Sequence, residues 1–231
     1  MVHAQDLLDV SPGVSKHSFK TEQLSLRFGL HAPEGAQADQ TPRPLVLALH
    51  YGFDRSRPFP SYYGTAFMDR VVVPGLAELD AYIVAPDSHG MPWTDERIAG
   101  PVLELLDALI ADPRIDGRRV IVTGYSMGGA GTWFFAAEHT ERFAAAVPMA
   151  GRLKAEWLDQ VGELPVHVLH SHDDELISFE QVQRVIESDP PPNLRLTELR
   201  DITHFQSPLY ARALTGVVVP WLEEVFAAVD P

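Results

Sequence analysis

Short apolar segments alternate with amphipathic segments along most of the chain. Residues 24–30 alternate apolar and polar positions, which is typical of a half-buried strand, and residues 194–199 predict another strand. Continuous apolar runs with the length of strands buried on both faces lie at residues 45–49, 82–85, 120–123, 144–149 and 166–169.

Helical periodicity fills the gaps between these strands. Apolar residues recur on one helical face over residues 98–110, and Asp112-Pro113 ends that helix. Further helices are predicted over residues 130–139, 179–186 and 209–229. Pro220 should begin or kink a helix in the last of these. Strands that alternate with helices predict an α/β fold, a mainly parallel central sheet of about eight strands with helices on both faces.

Composition and charge limit the classes of protein that fit. The chain has 231 residues, 45% of them hydrophobic, which suits a single domain over residues 1–231 with a peripheral N-terminal segment of about 17 residues. The formal net charge of −14 argues against nucleic acid as a partner, because phosphates are bound by Lys and Arg. The absence of Cys excludes disulfides, thiolate zinc sites and Cys nucleophiles.

No segment has the pattern of a leader or of a membrane span. Residues 1–10 contain neither a basic start nor an apolar run. No stretch approaches the roughly 18–20 apolar residues that cross a bilayer. We therefore expect a cytoplasmic protein without stable membrane insertion. A homodimer is a further expectation, and Trp157, Trp221 and the terminal helix could supply its interface.

The main candidate for catalysis is a G-x-S-x-G pattern at residues 124–128. It lies between a predicted strand and a predicted helix, where a sharp turn exposes the serine. The helix also directs its N-terminal N–H groups at this turn, which favours developing negative charge. Ser126 is therefore the predicted nucleophile.

A nucleophilic serine needs a base, and the base needs a carboxylate. Catalytic loops of parallel sheets lie at the carboxyl ends of strands, so both groups are expected after the late strands. The last His of the chain, His204, follows the strand at residues 194–199 and is the predicted base. Asp173, Asp174 and Glu175 follow the preceding strand, and periodicity does not separate them. Asp174 is the preferred acid, and Asp173 is its main rival.

Acyl transfer also needs two backbone N–H groups that face the developing oxyanion. One is predicted at Met127, directly after Ser126. The other is predicted at Gly52, because a glycine lets a substrate carbonyl approach the backbone closely. Tyr51 and Phe53 are the alternatives.

Aromatic residues cluster near these loops. Residues 55–64 are basic and aromatic within an acidic chain, and such loops often line small-molecule sites. The predicted substrate pocket consists of Tyr51, Phe53, Tyr62, Trp93 and Tyr125.

The sequence resembles the α/β-hydrolase superfamily, and within it the phospholipase/carboxylesterase and predicted-peptidase esterase group. The resemblance is carried by residues 118–129, 131–133, 142–148, 85–87, 93–95 and 170–178. The chain order Ser126, Asp174, His204 is that of the superfamily's triad. The resemblance implies Asp174 as the acid, four residues after His170, and a carboxylesterase that cleaves small acyl esters through an acyl-enzyme. It implies no cofactor and no metal.

Other interpretations stay open. A thioesterase or a serine peptidase could use the same triad. A catalytically inactive binding or scaffold protein is an alternative of another class. His170, His172 and Asp174 also resemble the start of an H-x-H-x-D-H metal motif, and these side chains suit zinc or manganese. Glu175 stands where that motif has its next His.

Overall fold

The computed structural model describes residues 7–36, 41–54 and 56–229, with the backbone alone at residue 229. Residues 1–6 and Arg55 lie outside this description. Part of the loop predicted at residues 55–64 therefore lies outside the described residues. The N-terminal segment of about 17 residues is described from residue 7 and is not peripheral as predicted. Leu7 and Leu8 are buried in the core because their apolar side chains pack against the sheet, and residues 13–17 belong to a strand.

The strands of the described chain form one sheet. They are β1 (Gly13–Lys20), β2 (Ser25–Ala32), β3 (Arg43–Leu49), β4 (Tyr82–Pro86), β5 (Ile115–Tyr125), β6 (Ala145–Met149), β7 (Val166–Ser171) and β8 (Leu194–Leu199). Their order is β1-β2-β4-β3-β5-β6-β7-β8. The pairs β1–β2 and β2–β4 are antiparallel, and every other neighbouring pair is parallel. The predicted mainly parallel sheet of about eight strands is confirmed.

Helices cover both faces of this sheet. They are α1 (Tyr63–Phe67), α2 (Val73–Gly75), α3 (Glu96–Ile110), α4 (Met127–Glu138), α5 (Ala155–Val161), α6 (Phe179–Ser188), α7 (Tyr210–Ala213) and α8 (Val219–Val229). The side chains of Asp95 and Ser178 begin α3 and α6 by accepting backbone hydrogen bonds from the first turn. Among the described helices, none is both long enough and apolar enough to cross a membrane.

The strands are buried on both sides because the pleat directs successive side chains to opposite faces. In β3, Leu45, Leu47 and Leu49 pack into a core with α3, α4, α5 and α6. Val46 and Ala48 point the other way and pack with α1, α7 and α8. This double burial explains why the central strands have continuous apolar runs.

Two turns of π-helix precede prolines, a detail that the sequence pattern did not predict. One spans Leu214–Val218 and ends two residues before Pro220, and the other spans Met68–Val72 and ends two residues before Pro74. A proline has no N–H, and its ring clashes with the carbonyl four residues earlier, so the preceding turn widens. Pro220 thus stands at the second residue of α8.

Asp87, which directly follows β4, holds the first residues of α1 against the sheet. Its carboxylate is fully buried and accepts hydrogen bonds from the backbone N–H groups of Tyr62 (2.6 Å) and Gly64 (3.1 Å). The guanidinium of Arg27 donates a third at 3.1 Å. One carboxylate therefore fixes the start of α1 against the carboxyl edge of the sheet.

Replacing Asp87 by Asn should lower the free energy of unfolding by about 2–4 kcal/mol, because buried N–H groups lose a charged acceptor. Urea denaturation measures this change. Asp107→Asn is the control, since it breaks an exposed ion pair with Arg142 and should cost less than about 1 kcal/mol. Equal losses in the two variants would contradict the role of Asp87.

Candidate active site

Ser126 is the only residue between β5 and α4, and its backbone is strained. Its φ of 58° and ψ of −113° lie in a region that non-glycine residues rarely adopt. Glycines make this turn sterically possible. A Cβ on Gly124 would lie 2.4 Å from the carbonyl oxygen of Gly128, and a Cβ on Gly128 would lie 1.8 Å from that of Leu49. The G-x-S-x-G spacing is thus a packing requirement.

The structure brings together the three side chains predicted for the triad. His204 Nε2 lies 2.8 Å from Ser126 Oγ, and His204 Nδ1 lies 2.7 Å from Asp174 Oδ2. An ionised carboxylate only accepts hydrogen bonds, so Nδ1 carries the proton. Nε2 is then the acceptor for the serine hydroxyl. This is the geometry that general-base activation of a serine requires.

The loop after β7 holds Asp174 in its ionised form. Asp174 Oδ1 accepts hydrogen bonds from the N–H groups of Leu176 (2.9 Å) and Ile177 (2.8 Å). Burial alone would raise the pKa of this carboxyl. The hydrogen bonds from His204 and from the Ile177 N–H outweigh burial and hold the pKa below its ordinary value.

The two rival carboxylates bind backbone groups and not the imidazole. Asp173 Oδ2 accepts a hydrogen bond from the N–H of Asp201 at 2.7 Å. Glu175 Oε2 accepts one from the N–H of His204 at 2.9 Å. Both therefore hold the loop that carries His204, which leaves Asp174 as the carboxylate beside the ring.

Two tyrosines that the triad prediction did not use support these loops from below. Tyr125 is buried, and its hydroxyl donates to the carbonyl oxygen of His204 at 2.9 Å. Tyr210 packs edge-on against Tyr125, and its hydroxyl accepts the N–H of Ser171 at 3.0 Å. Burial raises the pKa of both phenols, so they stay protonated. No sequence motif signals Tyr210.

A buried histidine orients the loop that carries Gly52. His50 Nδ1 lies 2.7 Å from the carbonyl oxygen of Tyr51, and Nε2 accepts the N–H of Ser88 at 3.1 Å. Burial lowers the pKa of His50 to about 4, so the ring is neutral and Nδ1 carries its proton. In a trans peptide the N–H of Gly52 points away from the Tyr51 carbonyl, and hence away from this ring.

The two predicted oxyanion donors lie next to each other. A Cβ on Gly52 would come within 3.9 Å of the Cβ of Met127. Met127 is the first residue of α4, so its N–H has no acceptor within the helix. Met127 follows Ser126 in the chain, and Gly52 lines the same cavity as Ser126, as an oxyanion site requires.

A cavity of about 510 Å³ opens at Ser126 and His204. Its walls include the predicted residues Tyr51, Gly52, Phe53 and Tyr125. A larger cavity of about 670 Å³ lies at the amino ends of β6, β7 and β8 and contains none of the predicted site residues. The smaller cavity is the candidate active site because it alone of these two holds a polarised serine.

Tyr62 and Trp93 do not line this cavity, which corrects the predicted pocket. The ring of Tyr62 lies 5.5 Å from Lys16 Nζ, and Tyr63 takes its place in the wall. Trp93 is only 1% exposed, and its indole N–H donates to the carbonyl oxygen of His50 at 2.9 Å. A buried indole needs such a partner, and Trp93 finds it beneath the loop.

Two of the three side chains of the alternative metal motif are neighbours, with His170 Nε2 3.7 Å from Asp174 Oδ2, but His172 faces other groups. His170 Nε2 donates to the carbonyl oxygen of Ile177 at 2.8 Å. His172 faces Glu198 and Glu180 at 3.3 and 3.7 Å. Within the described ranges, no group of three or more His, Asp or Glu side chains could hold a metal ion.

The buried histidines predict how stability depends on pH. Burial lowers the pKa of His50 and of His167 to about 4, against about 6.5 in an unfolded chain. Between these values the unfolded chain binds more protons, so the free energy of unfolding should fall as the pH drops from about 6.5 to 4. Urea denaturation across this range measures the loss.

His167→Gln should flatten this loss, because glutamine can still bond to Thr197 but takes up no proton. If the free energy of unfolding of this variant falls with pH as steeply as that of the wild type, His167 does not contribute to the pH dependence of stability.

The chain is similar in sequence to proteins described as esterases and as a peptidase. Residues 85–189 match the dienelactone hydrolase family. Over 173 residues the chain is 24% identical to the bifunctional acetylxylan esterase/xylanase XynS20E of Neocallimastix patriciarum. The aligned region covers 72% of this chain and 24% of that protein. Over 94 residues it is 32% identical to dipeptidyl-peptidase 5 of Porphyromonas gingivalis, and this aligned region covers 35% of this chain and 14% of that protein. The chain therefore spans less than a quarter of the length of these two relatives.

A solved structure gives the same result for the fold. Est1E from Butyrivibrio proteoclasticus superposes with a TM-score of 0.72 at 14% identity, over 92% of this chain and 99% of that one. The chain has the α/β-hydrolase fold that its motifs predict. The narrower phospholipase/carboxylesterase group stays a prediction.

Proposed function

We propose that this chain is a serine carboxylesterase that cleaves small acyl esters. The observation that supports this most is the hydrogen-bonded series from Ser126 through His204 to Asp174 at the wall of a cavity. The match to the dienelactone hydrolase family and the similarity to proteins described as esterases add further support.

In the proposed mechanism, Ser126 Oγ attacks the ester carbonyl while His204 Nε2 takes its proton. Asp174 keeps the imidazole in the required tautomer and stabilises the imidazolium. The N–H groups of Met127 and Gly52 bind the oxyanion of the tetrahedral intermediate. His204 then protonates the leaving alcohol, and water releases the acyl group by the same steps. The acid, the base and the first nucleophile of this scheme come from the chain itself, and water is the second nucleophile.

Thioesters and peptides are the main rival substrates, since the same groups could cleave them. The similarity to dipeptidyl-peptidase 5 is the reason to test peptide-like bonds as well. Matched esters, thioesters and anilides with one acyl group would rank the three bonds by kcat/KM. Cytoplasmic location and a homodimer also stay predictions.

Ser126→Ala should lower kcat for a 4-nitrophenyl ester by roughly 10⁴–10⁶, because the nucleophile is lost. Steady-state kinetics on a chain-length series measures this and gives the preferred acyl size. Ser207→Ala is the matched control, because Ser207 lines the same cavity, whereas the described hydrogen bond to His204 Nε2 comes from Ser126.

An effect of less than tenfold in Ser126→Ala would refute the assigned nucleophile. Adding EDTA to the wild type tests the rival mechanism that depends on a metal ion. Turnover that EDTA abolishes would favour that mechanism, and turnover that it leaves intact favours the serine.

Asp174→Asn should lower kcat by roughly 10⁴, since an amide does not select the tautomer that the base needs. Asp173→Asn is its neighbour and control, and it should change kcat by less than tenfold because Asp173 binds only a backbone N–H. The reverse order of effects would assign the acid to Asp173.

A further inference from the structure

The carbonyl groups on the two sides of Gly52 each have a hydrogen-bond donor. His50 Nδ1 donates to the carbonyl oxygen of Tyr51 at 2.7 Å, and the hydroxyl of Tyr63 donates to that of Gly52 at 3.1 Å. A trans peptide is planar, so these two bonds fix the planes of the peptides that precede and follow Gly52. The first peptide carries the N–H proposed to bind the oxyanion, and the second carries the N–H of Phe53.

The peptide between Gly52 and Phe53 needs this hydrogen bond to keep its direction. Gly52 has no side chain that restricts its backbone, and it is exposed at the cavity. A rotated peptide could present the carbonyl oxygen of Gly52 to the site, where its partial negative charge would repel the oxyanion. The hydrogen bond from Tyr63 opposes this rotation.

The fold in turn holds Tyr63 in place. Tyr63 is the first residue of α1. The N–H groups of the residues on either side of it both bind the carboxylate of Asp87. Its ring packs edge-on against that of His50, with ring centroids 4.9 Å apart. Burial raises the pKa of Tyr63 to about 12, so the phenol stays protonated and can donate.

We propose that Tyr63 is a positioning residue of this site, and that its hydroxyl holds the loop after β3 in the conformation in which a backbone N–H faces the oxyanion. This inference rests on the proposed esterase function. It applies to Gly52 as the donor and equally to Phe53, whose N–H belongs to the peptide that Tyr63 binds. The effect falls on the transition state rather than on the bound ester, because negative charge develops on the carbonyl oxygen only during the reaction.

The test uses Tyr63→Phe, which removes the hydroxyl and keeps the ring in the cavity wall. Phenyl butanoate is compared with its thionoester, in which sulfur replaces the carbonyl oxygen. Sulfur is a weak hydrogen-bond acceptor, so an oxyanion site stabilises the reaction of the thionoester less. The ratio of the kcat/KM values, ester over thionoester, should fall roughly three- to tenfold in Tyr63→Phe, as expected for one lost neutral hydrogen bond. An unchanged ratio would overturn the proposal.

Tyr62→Phe is the matched control. It removes the same hydroxyl from the neighbouring residue, whose ring lies 5.5 Å from Lys16 Nζ and does not line the cavity. Its ratio should equal that of the wild type. The same fall in both variants would assign the effect to a general loosening of α1 and would overturn the role of the Tyr63 hydroxyl.

An alkyl trifluoromethyl ketone tests the oxyanion site without turnover. Ser126 Oγ adds to the carbonyl carbon of the ketone, His204 Nε2 takes the serine proton, and the carbonyl oxygen becomes an oxyanion. Fluorine NMR measures the Kd of this adduct. The Kd should rise roughly three- to tenfold in Tyr63→Phe and should equal that of the wild type in Tyr62→Phe.

The two measurements separate this proposal from the proposed activity. Hydrolysis of the ester with equal ratios and equal Kd values would leave the esterase and overturn the role of Tyr63. Weaker binding of the ketone in Tyr63→Phe without hydrolysis of any ester would refute the esterase and leave the role of Tyr63. A wild type that neither binds the ketone nor hydrolyses esters would overturn both.

Discussion

The close backbone contact between the end of β3 and the start of α4 determines the geometry of the whole site. Because Gly128 approaches the carbonyl of Leu49 too closely for any side chain, the chain must leave β5 through a single strained residue, Ser126. The same contact brings the loop after β3 beside Met127, so Gly52 and the first N–H of α4 become neighbours. Nucleophile and oxyanion donors thus follow from one packing constraint.

Hydrogen bonds to the backbone determine the position of the remaining groups. Asp174 is fixed by two N–H groups of its own loop, and the loop of His204 is fixed by Tyr125 and Glu175. The imidazole therefore needs little reorganisation to accept a proton, because its neighbours already hold it at hydrogen-bond distance from Ser126. Such a buried network makes the position of the base a property of the fold.

Periodicity and motif spacing predicted the central strands, Ser126 and His204, because each depends on local sequence or on chain order. Residues 63–75 and β1 were not predicted. The first segment becomes helical through π turns before proline and through Asp87, and β1 has few apolar residues and an exposed alternate face. Local sequence also does not determine which way an aromatic ring points. Trp93 therefore lies beneath the loop after β3, and Tyr63 lines the cavity.

The most direct test of the central claim is the location of a covalent adduct. Wild-type protein would react with a fluorophosphonate, and tandem mass spectrometry of its peptides would identify the modified residue. We expect one phosphonyl group, on Ser126, because the hydroxyl of this serine lies at hydrogen-bond distance from His204 Nε2. An adduct on another residue with Ser126 unmodified, or no adduct under conditions where the protein hydrolyses esters, would contradict it.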